Sequence, residues 1–420
     1  MTSRERLRAV LNHREPDRAC VDFGATFVTG IHVAAVDRLR RAVVGDAGWR
    51  VKVCEPYQML GEVDDDLRAA LGIDVIGVLP RKTIFGIECA DWKPFVLFDG
   101  TEVLVPGAFN TTVDPASGDL MIYPEGDTSA PPSGRMPKGG YFFDSIVRQP
   151  PIDDDRLNVE DNLEEFGPLS DADIAYYRGK RAWFDRNPDA GRILIIPGTG
   201  FGDIALVPAP FLKHPKGIRD IEEWYISTVA RKDYVLEIFE RQCAIAERNL
   251  ETLIGIFGDS VDVALITGTD FGTQRGPFIS TEAYRELFQP YHRRINRIIH
   301  GRTGWKTFIH SCGSVYGLIP EFIAAGFDVL NPVQCSATDM DPARLKREFG
   351  EDLVFWGGGV DTQKTLPFGT PEEVYREVRD RLSIFNPGGG FVFNAIHNVQ
   401  GPTPLENMLA MFRALGDGAR

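Results

Sequence analysis

At positions 310–312 the chain reads His-Ser-Cys, an imidazole and a thiol two residues apart. Side chains at i and i+2 of an extended segment point to the same side, so His310 and Cys312 can face one point. Imidazole nitrogen and thiolate sulfur suit zinc, and three protein ligands with one open position is the pattern of a catalytic zinc. His397 and Cys335 are the candidate third ligands. The competing reading is a buried thiol beside a hydrogen-bonded histidine. Two carboxylates add to the set. Asp270 and Asp361 could each serve as a general acid or base, orient a histidine from behind, or bond loop amides. Asn331 and Gln334 could orient a substrate or cap a strand end. The run Gly357–Gly359 permits close backbone approach but is too weak a signal for a phosphate cradle.

Eight short apolar runs must position these groups: residues 19–24, 74–79, 192–198, 262–268, 307–313, 328–334, 353–361 and 390–398. None alternates cleanly, which suits strands covered on both faces, as in parallel sheets. Helical patterns lie between them. Thr2–Glu5, Thr370–Glu373 and Thr403–Glu406 read as capping boxes, the last two with proline at the first helical position. Residues 218–257 form a long helical stretch broken about once. Eight strands alternating with helices predict a closed (β/α)₈ TIM barrel. An open doubly wound sheet is disfavoured because no strand is followed by a G-x-G-x-x-G turn.

In such a barrel the active site forms where strands end at the C-terminal face. Strands four to eight end in Asp270, in His310-Ser311-Cys312, in Asn331 and Gln334-Cys335, in Asp361, and in His397-Asn398. Five consecutive strands with ligand-capable ends converge on one volume. Two regions depart from the repeat. Residues 88–144 read as a β-rich insertion between strands two and three, and residues 151–187 as an acidic, helical one. Both belong to a single barrel domain over residues 1–420, and they would cover a barrel end or form a lid or docking surface.

Bulk properties exclude other classes. A formal net charge of −14 over 420 residues repels phosphate backbones, so nucleic acid is not an expected partner. The N-terminus lacks a signal-peptide pattern, no apolar run is long enough for a membrane span, and no basic amphipathic helix suggests a membrane surface. Six cysteines (Cys20, Cys54, Cys89, Cys243, Cys312 and Cys335) scattered through a large chain argue for reduced thiols in a cytoplasmic protein. His13, His32, His214, His292 and His300 read as structural.

Several motifs resemble the uroporphyrinogen decarboxylase superfamily over nearly the whole chain. They are RERLRAVLNHREPDRACVDFG at the start, DFGTQRGPFISTEAYRELFQPY, FIHSCGSVYGLIPEFIAAGFDVLNPVQ, WGGGVDTQKTLPFGTPEEVYREV, and HNVQGPTPLENMLAMFRAL at the close. The resemblance implies a barrel, in agreement with the strand count. It also implies one of two chemistries: decarboxylation of uroporphyrinogen without a cofactor, or zinc-dependent methyl transfer to or from a corrinoid protein, as in methylcobalamin:coenzyme M methyltransferases.

The decarboxylases carry an arginine-rich segment after the first strand. Here residues 23–30 contain no arginine, and Phe23 and Gly24 become substrate-facing candidates. The aspartate those enzymes hold after the second strand falls on Pro80 or Arg81. A tetrapyrrole with eight carboxylates needs several cations to offset their desolvation, so both departures disfavour it. The zinc methyltransferases have His-x-Cys at strand five, matched by His310 and Cys312, and a cysteine at strand eight, which falls on His397. The site is then His₂Cys, a more positive zinc and a stronger Lewis acid.

The resemblance implies zinc as cofactor and methylcobalamin supplied by a corrinoid-binding partner. A small molecule would be the methyl donor or acceptor, and Asp270, Asp361 and His397 the catalytic candidates. A homodimer is a candidate assembly. The alternative expectation is a cofactor-independent decarboxylase acting on a porphyrinogen or a smaller acid. A third reading is a barrel kept as a binding module.

Overall fold

A computed structural model describes residues 1–45 and 48–417. Each of the eight apolar runs contributes one strand: β1 (Cys20–Val21), β2 (Val75–Val78), β3 (Gly191–Ile195), β4 (Val263–Thr267), β5 (Lys306–His310), β6 (Val329–Asn331), β7 (Val354–Trp356) and β8 (Phe391–Phe393). The hydrogen-bonded order is β1-β8-β7-β6-β5-β4-β3-β2, and every neighbouring pair is parallel. With helices between the strands this is a (β/α)₈ TIM barrel, as the strand count predicts. The strands stop short of the C-terminal ends of the runs. Residues such as Gly313, Gly357 and Gly358, all at positive φ, turn the chain out of the ladder into loops.

One device recurs at the N-terminal face. Asp74, Asp262 and Asp328 stand immediately before β2, β4 and β6. Each sends its backbone N–H to a carbonyl of the preceding strand's first residues, Val21, Arg192 and Thr307. Each carboxylate then accepts the N–H of that same residue, at 2.9, 3.1 and 2.8 Å. An aspartate ahead of an even strand thus ties it to the odd strand before it. At the β1–β2 seam this matters most, because these strands are the two ends of the hydrogen-bonded order. Gly77 completes the seam: a Cβ there would lie 1.6 Å from the Ala25 carbonyl oxygen.

The N-terminal face is plugged. The helix Ser3–Leu11 opens with the expected capping box of Thr2 and Glu5. Its Leu7, Val10 and Leu11 pack with Val75, Ile193, Val263, Phe308, Val329, Val354 and Val392 inside the barrel. Apolar burial fills that end, so polar groups inside the barrel collect toward the other end.

The helices follow the sequence pattern with one correction. Residues 218–257 give Ile221–Ala230 and Lys232–Phe257, separated at Arg231. Pro371–Phe385 carries the Thr370/Glu373 capping box. The third expected box does not form: Leu405–Gly416 has Pro404 as its N-cap, with no side-chain cap. Proline occupies the cap itself, so Thr403 falls one residue outside the register the box needs.

Between β2 and β3 the chain forms a hairpin, Lys93–Val96 with Glu102–Val105. An antiparallel sheet of Thr111–Val113, Leu120–Ile122, Gly134–Met136 and Asp144–Ser145 follows. The acidic stretch holds two short 3₁₀ turns and the helix Asp171–Arg186, which leads directly into β3. Tyr177 and Phe184 of this helix meet Phe257 edge-on. Among the described residues no helix is long and apolar enough to cross a membrane.

Candidate metal centre

Alternation along β5 turns Phe308 into the barrel plug and His310 upward from it, and Cys312 follows two residues on. The His310 Nε2 and Cys312 Sγ atoms are 3.3 Å apart. His397, four residues past β8, brings its ring to 6.0 Å from that of His310, centroid to centroid. One ligand atom from each of His310, Cys312 and His397 lies within 4.8 Å of the others. Tetrahedral zinc, with bonds of about 2.0–2.1 Å to nitrogen and about 2.3 Å to sulfur, holds its donors roughly 3.3–3.6 Å apart. The 310/312 pair already has that spacing, and the third donor needs a shift of about 1.5 Å at most.

Asn331 prepares His310 for this role. Its Oδ1 accepts from His310 Nδ1 at 2.5 Å, and its Nδ2 donates to the Trp356 carbonyl at 2.7 Å. The amide is held from both sides, so Nδ1 carries the proton and Nε2 presents its lone pair toward Cys312 and His397. Trp356 is fixed in turn by its indole N–H, which donates to Asp22 Oδ2 at 3.0 Å. Asp270 braces the other side: its Oδ1 accepts the Cys312 backbone N–H at 2.6 Å and lies 3.8 Å from His310 Nε2.

Electrostatics suit a cation here. Burial, with Asp270 beside it, pushes the Cys312 thiol well above its ordinary range. Burial and the neighbouring His310 pull His397 down to about 4, so its imidazole is neutral at neutral pH. A protonated Cys312 thiol and a neutral His397 imidazole describe the cluster by itself; a divalent cation would displace the thiol proton.

The remaining candidates fall elsewhere. Cys335 is not in the cluster: its Sγ approaches the Gly358 carbonyl at 3.9 Å, and burial raises it to about 12 with Arg381, Glu377 and Asp341 as its charged neighbours. Asp361 turns to its own loop, where Oδ1 accepts the N–H groups of Gln363 and Lys364 at 2.7 and 3.1 Å. Gln334 is buried, and its Oε1 accepts from Gly313 N–H at 2.8 Å, which holds the His-x-Cys loop. Asn331 is fully buried and orients His310, not a substrate. Phe23 is buried between Phe393 and Phe412, away from the mouth. Gly24 forms a turn at φ +93, where a Cβ would meet Val63.

Two residues join the mouth that the sequence pattern did not single out. Asp203 follows the glycine-punctuated loop after β3, and that loop was the available signal. Its carboxyl is pushed up to about 7 by burial, against one hydrogen bond from Ala205 N–H and with Asp270 nearby. Tyr225 reaches over from the helix Ile221–Ala230 and donates to the Asp270 carbonyl at 3.1 Å. Nothing in its helical context marks it.

Comparisons with known proteins agree with this architecture. Residues 222–417, which include His310, Cys312 and His397, match the family model for uroporphyrinogen decarboxylase (URO-D). A methylated-thiol--coenzyme M methyltransferase of Methanosarcina mazei is 26% identical over 245 residues, 55% of this chain and 60% of that protein. A uroporphyrinogen decarboxylase of Azoarcus sp. (strain BH72) is 27% identical over 182 residues, 41% of this chain and 48% of that protein. The matches thus span less than two thirds of either relative. Among solved structures, a methyltransferase from Methanosarcina mazei superposes with a TM-score of 0.55 over 99% of both chains at 14% identity, a likeness of fold. Over residues 222–417, from β4 through β8 and the last helix, this chain is similar to the uroporphyrinogen decarboxylase (URO-D) family.

Proposed function

We propose that this protein is a zinc-dependent methyltransferase that moves a methyl group between a corrinoid protein and a small molecule. The observation that carries the reading is the convergence of His310 Nε2, Cys312 Sγ and a His397 ring nitrogen within 4.8 Å. A bound zinc ion in such a donor set supplies Lewis acidity, which keeps a substrate thiol as thiolate near neutral pH. The protein's own residues do the rest. Asn331 holds the His310 tautomer, and Asp270 fixes the Cys312 loop through the backbone. Asp270 also stands where a carboxylate can take the thiol proton or bond a bound substrate. The similarity to the Methanosarcina mazei methyltransferase supports methyl transfer.

Zinc measured on the purified protein at one equivalent per chain, lost in His310→Ala and Cys312→Ala together with methyl transfer from methylcobalamin, is the expected result. A metal-free protein whose activity survives both substitutions would sink the proposal.

A second reading, a metal-free decarboxylase, is favoured by the family description and by the Azoarcus relative. It would use Asp270 and His397 on an acid substrate. Against it, the ionisable groups that act on Asp203, Tyr225, Cys312 and His397 among the described residues are Asp203, Asp270 and His310, a set with two carboxylates that disfavours a polycarboxylate.

A further inference from the structure

Gly268 follows β4, and its φ lies outside the left-handed region. Its missing side chain therefore concerns space, not backbone conformation. A Cβ at this position would stand 3.0 Å from Asp203 Oδ2 and 3.9 Å from Phe27 Cε2, so a carboxylate and an aromatic ring flank the same bare spot. Asp203 is only 9% exposed. Its Oδ1 accepts from Ala205 N–H at 3.0 Å, and its Oδ2 has no hydrogen-bond or ion-pair partner among the described residues. The neighbouring Asp270 has no Lys or Arg partner among the described residues; its Oδ1 lies 3.8 Å from His310 Nε2. Tyr225, in edge contact with Phe278 at 4.7 Å, adds aromatic surface on the same side.

Asp203 Oδ2, which no protein group donates to among the described residues, is left open to a donor from a ligand in the mouth. A cation beside a carboxylate and over an aromatic face gains from both. An anion in the same place would meet the carboxylates of Asp203 and, nearby, Asp270.

We propose that the small molecule of this site carries a positive charge close to its reacting sulfur: a cationic thiol as methyl acceptor, with the matching methyl thioether as its methylated form. The inference rests on the methyl-transfer reading and names its substrate class. In S-methylation the thiol loses its proton to water, and the sulfur electron pair forms the new S–CH₃ bond. The electron pair of the cobalt–carbon bond stays on the cobalt of the methyl-corrinoid, which leaves as Co(I). The ammonium end is unchanged and stays against Asp203.

The test uses three thioethers that differ in their polar end: 2-(methylthio)ethylamine, 2-(methylthio)ethanol and 2-(methylthio)ethanesulfonate. Binding is measured by calorimetry on zinc-loaded and on chelator-treated protein. The amine is expected to bind at least about tenfold more tightly than the alcohol, with the sulfonate weakest. Asp203→Asn, checked for an unchanged melting temperature, is expected to bring amine and alcohol within about twofold. Gly268→Ala, which fills the bare spot, serves as a second variant and is expected to weaken the amine by a similar factor.

Alcohol or sulfonate binding as tightly as the amine would overturn the proposal. So would an amine preference that survives both substitutions, or no binding of any of the three. The readout separates the two readings. An amine preference in protein that takes up no zinc removes the metal proposal alone, and zinc uptake without that preference removes this one alone.

Discussion

Asn331 Oδ1 lies 2.5 Å from His310 Nδ1, and the same amide donates to the Trp356 carbonyl at 2.7 Å. One buried amide therefore decides which nitrogen of the histidine is free. Asn331→Leu should weaken zinc binding by about 10–100-fold, the usual cost of losing a partner behind a metal ligand. Asn331→Asp, which keeps an acceptor, should bind more tightly than the leucine variant. Competition with a chromophoric chelator reads both.

The three clustered residues and the two that stand apart make a clean contrast. His310→Ala, Cys312→Ala and His397→Ala should each lower bound zinc below stoichiometry. Cys335→Ser and Asp361→Asn should retain it, because these side chains face Gly358 and the Gln363–Lys364 amides. Elemental analysis of five purified variants is the measurement. Loss of zinc in Cys335→Ser with retention in His397→Ala would reassign the third ligand.

Asp74 holds the barrel seam. Its buried carboxylate accepts from Ser3, Arg6, Arg18 and the Val21 N–H, all at 2.7–2.9 Å. Asp74→Ala leaves Arg6, itself 5% exposed, without that partner, and should destabilise the fold by about 3–5 kcal/mol. Glu251→Ala, which removes the exposed pair with Arg302, should cost under about 1 kcal/mol. Urea denaturation midpoints at constant m-value distinguish the two.

His292 gives the fold a pH dependence whose sign follows from burial. Its ring is fully buried among Phe201, Tyr284 and Phe327, and burial lowers it to about 3 from the ordinary 6.5. Between those two values the unfolded chain binds a proton that the folded chain does not. Stability therefore rises with pH through that window, is complete above about 6.5, and is lost as the pH falls. The contribution is at most about 1.4 kcal/mol per pH unit. His292→Phe should flatten the stability-against-pH curve between pH 4 and 6 relative to the parent. An unchanged slope in chemical denaturation would count against it.

The barrel was legible because its signals are local. A run such as Val263–Thr267 is apolar throughout since both of its faces are covered, and that is visible without knowing what covers them. The Thr2/Glu5 and Thr370/Glu373 boxes act within one helical turn and form as read. Thr403/Glu406 shows the limit: the same letters fail when proline takes the cap. The His-x-Cys pair was legible for the same reason, since a period of two sets both side chains on one side whatever the rest of the chain does.

The sequence alone determined the strand count, the helix starts and the pairing of His310 with Cys312, all products of short-range geometry. Tertiary structure decided everything that required closing the barrel. Closure set His397 beside His310 and kept Cys335 out of the cluster. It turned Phe23 into the core and Asn331 toward a histidine. It also brought Asp203, Gly268 and Phe27 together from three separate loops. A one-residue change in where a strand releases its chain reverses which way each later side chain points, and only the packed barrel fixes that release.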